Sequence, residues 1–237
     1  MKIPFLLLSF ALLLIAYLAY SLPPHASSHM EPLMKFLALG DSYTIGESVL
    51  PEERWPVQLT ALLRARALPL TDPEIIARTG WTTDELAEAL ARANPQPPYA
   101  LVSLLIGVNN QYRGYSQETY RQEFVALLEQ AIALAGGDPE RVIVLSIPDW
   151  GVTPFGAHDG RGRTPAQISA EIAAFNAINR AETLRLGAHY VDITPISLEA
   201  QTDLTLLADD QLHPSGKMYA RWAEEALPVV LDLLHPK

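Results

Sequence analysis

The feature that most constrains the fold is a regular alternation between short apolar runs and segments with helical periodicity. Five runs have the length and composition of β-strands, at 35–40, 74–79, 99–106, 141–147 and 188–193. The segments between them carry apolar residues spaced three and four positions apart, as on one face of a helix. Strands that alternate with helices form a parallel sheet with helices on both faces. The sequence therefore predicts one α/β domain with five parallel strands.

Residues that commonly begin and end helices delimit the helical segments. The predicted helices span 55–67, 82–93, 117–135, 165–186 and 215–234. Thr82 and Glu85 have the spacing of a capping box, and Pro165 follows a threonine at a predicted helix start. Pro228 lies inside the last helix, where proline removes a backbone hydrogen bond and crowds the preceding turn. We therefore expect that helix to be bent or split at Pro228.

The first 22 residues differ from the rest of the chain. Lys2 precedes a run over 3–22 that contains no charged residue and is long enough to cross a bilayer as a helix, which takes about 20 residues. This pattern predicts either a cleaved signal peptide or an uncleaved transmembrane anchor, and the sequence leaves both open. In either case we expect the rest of the chain to be periplasmic, extracellular or membrane-anchored on the outside. Residues 23–33 are predicted to be a linker to a folded domain at 34–237.

Charge and cysteine content exclude several classes of function. The formal net charge is -10, which disfavours binding to nucleic acid because phosphates attract a basic surface. The chain contains no cysteine, which excludes disulfides, thiolate catalysis and cysteine-ligated metals.

Small and polar residues follow the predicted strands at positions where α/β proteins place their sites. In open parallel sheets, ligands bind beyond the carboxyl ends of the strands. Ser42 follows the first strand, Gly80 the second and Asn109 the third, while Asp210 and His213 precede the last helix. We expect these five residues to lie at one edge of the sheet.

These residue types are the ones that acyl transfer requires. A hydroxyl nucleophile needs a base and a carboxylate that orients the base, and Ser42, His213 and Asp210 meet those needs. The backbone N–H groups of Ser42 and Gly80 and the amide of Asn109 are candidate donors to an oxyanion. Each residue alone is also common in turns and helix caps, so the prediction depends on their combination. Asp209, beside Asp210, is an alternative for the triad carboxylate.

Four short segments resemble the four sequence blocks of the SGNH hydrolase superfamily, which includes the GDSL-like lipases and esterases. The segments are Gly40-Asp41-Ser42, Gly80, Gly107-x-Asn109 and Asp210-x-x-His213. The resemblance implies a flavodoxin-like three-layer α/β/α sandwich, the SGNH hydrolase fold, with strand order 2-1-3-4-5. It also implies that no metal and no organic cofactor takes part.

The same resemblance implies a role for each matching residue. Ser42 would be the nucleophile and an oxyanion-hole donor, Gly80 and Asn109 the other oxyanion-hole donors, and Asp210 and His213 the rest of the catalytic triad. The chain departs from the family pattern at two positions. Tyr43 replaces the leucine of the GDSL motif, and Asn110 stands where aspartate is common. The second change leaves open how the loop that carries Asn109 is held.

The expected function is that of a serine ester hydrolase, either carboxylesterase-like or lipase-like, acting on a small-molecule, lipid or carbohydrate ester. Two alternatives use the same site: an O-acyltransferase, and a carbohydrate acetylesterase acting on envelope polysaccharide. A non-catalytic binding module is disfavoured, because every group that the chemistry needs is present. The sequence leaves open the acyl chain length, the alcohol part of the substrate and the oligomeric state.

Other polar and aromatic residues near strand ends have weaker signals. Asp149, His158 and Asp159 lie in a loop rich in glycine and proline, where they could shape a pocket or bind an ion but where we expect them to be solvated. Three aromatic residues follow strand ends and are expected either to line the site or to pack in the core. They are Trp81, Tyr112 and Trp150.

Overall fold

The computed structural model describes residues 33–234. Five parallel strands form one sheet in the order β2-β1-β3-β4-β5, which confirms the predicted strand order. The strands are β1 (Phe36–Gly40), β2 (Glu74–Ala77), β3 (Leu101–Leu105), β4 (Val142–Leu145) and β5 (His189–Val191). Each lies within a predicted run and is shorter than that run by one to three residues.

The predicted N-terminal signal or anchor at 1–22 and almost all of the predicted linker at 23–33 lie outside the described residues. Within residues 33–234, no helix has both the length and the apolar character needed to cross a membrane.

Nine α-helices connect and cover the strands. They are α1 (Ser42–Ile45), α2 (Trp55–Arg64), α3 (Thr83–Ala93), α4 (Val108–Arg113), α5 (Gln117–Leu134), α6 (Pro154–Ala157), α7 (Pro165–Arg185), α8 (Thr194–Leu198) and α9 (Gly216–Leu234) within the described residues. The five long helices match the predicted ones. The predicted capping box at the start of α3 is present, with Thr82 N–H donating to the Glu85 carboxylate at 3.0 Å.

Of the two expected effects of Pro228, the split of the last helix is wrong, because α9 continues through it as one helix, while the bend stays a prediction. Residues on both sides of the proline, Leu227 and Val230, are buried in the core. Their burial in the core stabilises the helical path against the loss of one backbone hydrogen bond.

Packing of the long helices creates the layers around the sheet. Helix α2 packs against α9, while α5 packs against both α3 and α7. Strands β1, β3 and β4 are buried along their whole length, as expected for strands covered on both faces.

Strand register decides where the loops leave the sheet. Gly40, the last residue of β1, pairs with Ala77 on one side and Leu105 on the other. The three strands therefore end at the same level, and the loops that follow them emerge side by side.

Glycine at position 40 allows the chain to turn into α1 directly at the strand end. A Cβ there would lie 2.2 Å from the Thr44 hydroxyl oxygen and 2.4 Å from the Leu105 carbonyl oxygen, closer than real side chains approach. Because glycine lacks that atom, the end of β1 fits between Thr44 of α1 and the Leu105 carbonyl of β3, and Ser42 begins the helix at the rim of the sheet.

Candidate active site

A cavity of about 190 Å³ lies at the carboxyl edge of the sheet and brings together residues from both ends of the domain. Four of the predicted site residues line it: Ser42, Gly80, Asn109 and His213. Asp210, the fifth, contacts His213. The remaining lining residues are Tyr43, Thr79, Val108, Tyr112, Trp150, Phe155 and Leu212. A hydroxyl from the start of the domain and an imidazole from its end thus share one cavity.

Ser42 is held by the turn between β1 and α1. It is the first residue of α1 and is 5% exposed. Asp41 caps this short helix, and its carboxylate accepts the backbone N–H of Tyr43 at 3.0 Å. The cap fixes the backbone on both sides of Ser42 and so places this residue at the wall of the cavity.

His213 and Asp210 lie on one loop that folds back on itself. The Nδ1 atom of His213 lies 2.6 Å from Asp210 Oδ2. The other carboxylate oxygen, Oδ1, accepts the backbone N–H groups of Leu212 and His213, each at 2.9 Å. Of the two neighbouring aspartates that the sequence offered, it is Asp210 that contacts the imidazole.

The environment of Asp210 favours its charged form. Burial opposes ionisation, but hydrogen bonds from Ser48, from His213 and from backbone N–H groups outweigh it and lower the pKa of Asp210 to about 2. Asp210 is therefore an anion at neutral pH. In that state it can accept a hydrogen bond from His213 Nδ1, which leaves Nε2 as the basic atom of the ring.

The opposite wall of the cavity carries the candidate oxyanion donors. Gly80 has a left-handed backbone (φ +88°), which a residue with a side chain rarely adopts. Its carbonyl accepts a hydrogen bond from Arg113 Nη2 at 2.6 Å, and Arg113 also pairs with Glu85 at 3.2 Å. The side-chain amide of Asn109 donates to the Trp81 carbonyl at 2.9 Å, which fixes the orientation of its NH₂ group.

Asn110 holds the loop that bears Asn109. Its Oδ1 atom accepts the backbone N–H of Thr83 at 3.1 Å, and its Nδ2 atom donates to the Thr83 hydroxyl at 2.6 Å. An amide thus supplies the acceptor that an aspartate would supply, together with a donor. This pairing shows how the loop that carries Asn109 is held although Asn110 replaces the aspartate of the family pattern.

Aromatic and apolar side chains form the rest of the wall. Tyr112 and Trp150 line the cavity, and the indole N–H of Trp150 donates to Gln111 at 2.9 Å. Phe155, although exposed, and Leu212 also line it, and sequence reasoning missed both because neither follows a strand directly. Trp81 is half-buried and packs against the core.

The expectation that the loop acids are solvated is wrong for two of them. Asp149 is buried and caps a short 3₁₀ helix by accepting the Gly151 N–H at 2.8 Å. Asp159 pairs with Arg163 at 2.8 Å, and its side chain is shielded from solvent. His158 is exposed, as expected. Sequence periodicity does not predict the contacts of Asp149 and Asp159, because these contacts depend on how the loop folds.

Asp41 makes folding stability depend on pH. Its burial raises the pKa of Asp41 to about 7, from 3.8. Between these two values the folded state holds a proton that the unfolded state has lost, so stability falls as pH rises from about 4 to 7. This carboxyl contributes a slope of about -1.4 kcal/mol per pH unit.

We expect Asp41→Asn to flatten that slope. The measurement is urea unfolding at a series of pH values between 4 and 8. Asp209→Asn, which removes an exposed carboxylate, is the matched control and should keep the wild-type slope. Parallel curves for wild type and Asp41→Asn would contradict this account of Asp41.

Comparison with known proteins places this geometry in a family. The sequence model of the GDSL-like lipase/acylhydrolase family matches residues 38–221, from the middle of β1 into α9. The chain belongs to that family. Its fold is the SGNH hydrolase fold, and the protein is an ester hydrolase. A comparison with curated protein sequences found no significant match.

Solved structures share the fold at low sequence identity. A lipolytic G-D-S-L protein from Veillonella parvula superposes with a TM-score of 0.61 at 18% identity, covering 83% of this chain and 97% of its own. For the lipase/acylhydrolase from Enterococcus faecalis the TM-score is 0.60 at 22% identity, with coverages of 86% and 99%. The esterase EstA from Pseudoalteromonas sp. gives 0.59 at 19%, with coverages of 84% and 98%.

Proposed function

We propose that this GDSL-family hydrolase cleaves carboxylic esters through Ser42, His213 and Asp210, by way of an acyl-enzyme. The observation that carries the proposal is the cavity that Ser42 and His213 share, with His213 hydrogen-bonded to Asp210 at 2.6 Å. A hydroxyl, an imidazole and an orienting carboxylate are the set that converts a serine into a nucleophile.

In the first step, His213 Nε2 takes the proton of the Ser42 hydroxyl as Ser42 Oγ attacks the ester carbonyl carbon. The carbonyl oxygen becomes an oxyanion, which the N–H groups of Ser42 and Gly80 and the Asn109 amide stabilise. The bond to the alcohol oxygen then breaks, and the alcohol leaves with the proton from His213. Asp210 stays ionised throughout and stabilises the imidazolium that forms.

In the second step, water replaces the alcohol. His213 takes a proton from the water, whose oxygen attacks the acyl-enzyme, and the same donors stabilise the second oxyanion. The bond to Ser42 Oγ breaks, and Ser42 regains a proton from His213. The products are the free acid and an unchanged enzyme.

The cavity favours an apolar group on at least one side of the ester bond. Trp150, Phe155 and Leu212 supply much of its wall, and His213 is the one titratable side chain besides tyrosines among the lining residues within 33–234. Burying hydrocarbon there contributes roughly 25 cal/mol per Å². We therefore propose an uncharged ester with an apolar acyl or alcohol part that fits a small cavity.

Reaction with a fluorophosphonate tests the nucleophile. The reagent phosphonylates an activated serine, so we expect one adduct per wild-type chain and its mapping by mass spectrometry to the peptide that contains Ser42. Heat-unfolded protein is the control and should not react, since activation needs the folded site. An absent adduct, or an adduct at another serine, would overturn the proposed assignment.

We also propose export of the domain, supported by Lys2 and the uncharged run at 3–22. Fractionation of cells that make the full chain should recover esterase activity outside the cytoplasm or with the membrane. Full-length protein in the soluble cytoplasmic fraction, with residue 2 intact, would contradict this proposal.

A further inference from the structure

A second side chain contacts the carboxylate that orients His213. The hydroxyl of Ser48 donates to Asp210 Oδ2 at 2.6 Å, the same oxygen that lies 2.6 Å from His213 Nδ1. With the two backbone N–H groups on Oδ1, each oxygen of the carboxylate thus has two donors. Ser48 and Asp210 are 162 positions apart, so the fold creates this contact.

The segment that carries Ser48 is fixed to the segment that carries the nucleophile. Helix α1, which begins with Ser42, ends at Ile45 and is capped by Gly46, and the backbone N–H groups of Gly46 and Glu47 both donate to the Ser42 carbonyl, at 3.1 and 3.0 Å. Glu47 in turn accepts a hydrogen bond from the Thr79 hydroxyl beside Gly80. Ser48 therefore joins the loop after β1 to the loop before α9.

The backbone of Ser48 is unfavourable for a residue with a side chain. Its φ is +66°, in the left-handed region that glycine adopts without cost. A serine keeps the hydroxyl there at the expense of backbone strain, which the contact with Asp210 offsets.

We propose that Ser48 is a positioning residue for the acid–base pair, an inference that rests on the proposed function of this site. Its hydroxyl holds the Asp210 carboxylate at the rotation in which Oδ2 faces His213 Nδ1. It also shares the negative charge of that oxygen. Both effects act through Asp210 on His213, and Ser48 itself does not line the cavity.

Loss of the hydroxyl should change both the rate and its pH dependence. The carboxylate would rotate more freely, so fewer molecules would hold His213 in the productive orientation. We therefore expect kcat to fall about tenfold, with little change in KM. The carboxylate would also present more unshared charge to the imidazole, which favours its protonated form. The acidic limb of the pH profile of kcat/KM should therefore move to higher pH.

Other ionisable groups near this pair stay the same in the comparison. Tyr43 packs edge-on against His213 with ring centroids 5.6 Å apart, and its pKa is raised by burial and by the charges of Asp41, Asp149 and Asp210. Glu47 and Asp209 are the chain neighbours of Ser48 and Asp210 that carry carboxylates. None is altered in the variant below, so a shift of the profile reports on the missing hydroxyl.

The informative variant is Ser48→Gly, because glycine removes the hydroxyl and also relieves the left-handed backbone. Relief of the left-handed backbone opposes the loss of the hydrogen bond to Asp210, so we expect the variant to stay folded, and urea unfolding checks that a lower rate does not reflect unfolding. Ala67→Gly is the matched control: Ala67 has a φ of +63° in the turn after α2, is exposed, and is distant in sequence from the site residues. It gives the same backbone relief and should leave turnover and its pH profile unchanged.

Hydrolysis of a small aryl ester, followed from pH 5 to 9 with the full chain, separates the outcomes. Turnover by the wild-type protein is measured first, and its absence would overturn the proposed function. With wild-type turnover established, a Ser48→Gly variant with reduced kcat, unchanged KM and a shifted acidic limb supports the role of Ser48. A variant with the wild-type kcat and profile, or one that loses rate without any shift of the limb, overturns that role and leaves the proposed function intact.

Discussion

Replacing Ser42 by alanine is expected to lower kcat for a small aryl ester by about 10⁴-fold or more, while the protein stays folded. The hydroxyl is the group that would form the acyl bond, and among the lining residues within 33–234 no other hydroxyl belongs to the first residue of a helix. Because the side chain lines a cavity, removing one oxygen leaves the core packing intact. Initial rates at saturating ester, together with urea unfolding of both proteins, measure the two parts of this prediction.

The matched control for that change is Ser103→Ala. Ser103 lies in the middle of β3, is fully buried, and its hydroxyl has no hydrogen-bond partner. The same chemical change there should leave turnover at the wild-type level and stability equal or higher, because an unpaired buried polar group is unfavourable. Undiminished turnover in Ser42→Ala would remove Ser42 from the mechanism.

The second large effect is expected at Asn109. Its replacement by alanine should lower kcat by about 10²–10³-fold, which is typical for the loss of one oxyanion-hole donor. The binding of the ground-state ester should change little, since the oxyanion exists only after attack, so KM should stay within a few-fold of wild type. Steady-state kinetics with the same aryl ester measure both constants.

The variant Asn109→Asp distinguishes the loss of the hydrogen-bond donor from the loss of side-chain volume. The carboxylate has nearly the shape of the amide but offers no N–H and places negative charge beside the developing oxyanion, so the loss should equal or exceed that of alanine. Like alanine, aspartate lacks the side-chain N–H that donates to the Trp81 carbonyl. Near-wild-type kcat in the aspartate variant would show that Asn109 is not a donor to the reacting oxygen.

The predicted positions of strands and long helices came from local patterns, and these were reliable for a physical reason. A strand buried on both faces must be apolar throughout, as β3 is, and a helix that covers a sheet must repeat its apolar residues at helical spacing. Cap residues such as Thr82 and Glu85 then fix where a helix begins. Pro228 shows the limit of the same reasoning, since burial on both sides outweighed a local helix breaker.

The candidate site was predictable in part because parallel strands impose geometry on sequence. Loops that follow β1, β2 and β3 must emerge at one edge, so short motifs at those positions are expected to meet. That argument located Ser42, Gly80 and Asn109 without coordinates. It carries no information about residues that do not follow a strand directly, and for that reason Phe155 in α6 and Leu212 beside His213 were missed.

By itself, the sequence determined the α/β class, the order of elements along the chain and the family motifs, because each of these depends on contacts between near neighbours in the chain or on short fixed spacings. Tertiary structure alone decided how Asn110 replaces an aspartate by pairing with Thr83, and that Ser48 donates to Asp210. Those contacts join segments that are far apart in the sequence, so sequence spacing alone does not determine how close the two segments lie in the folded protein. Only the register of the sheet and the path of the loops bring their polar atoms within hydrogen-bonding range.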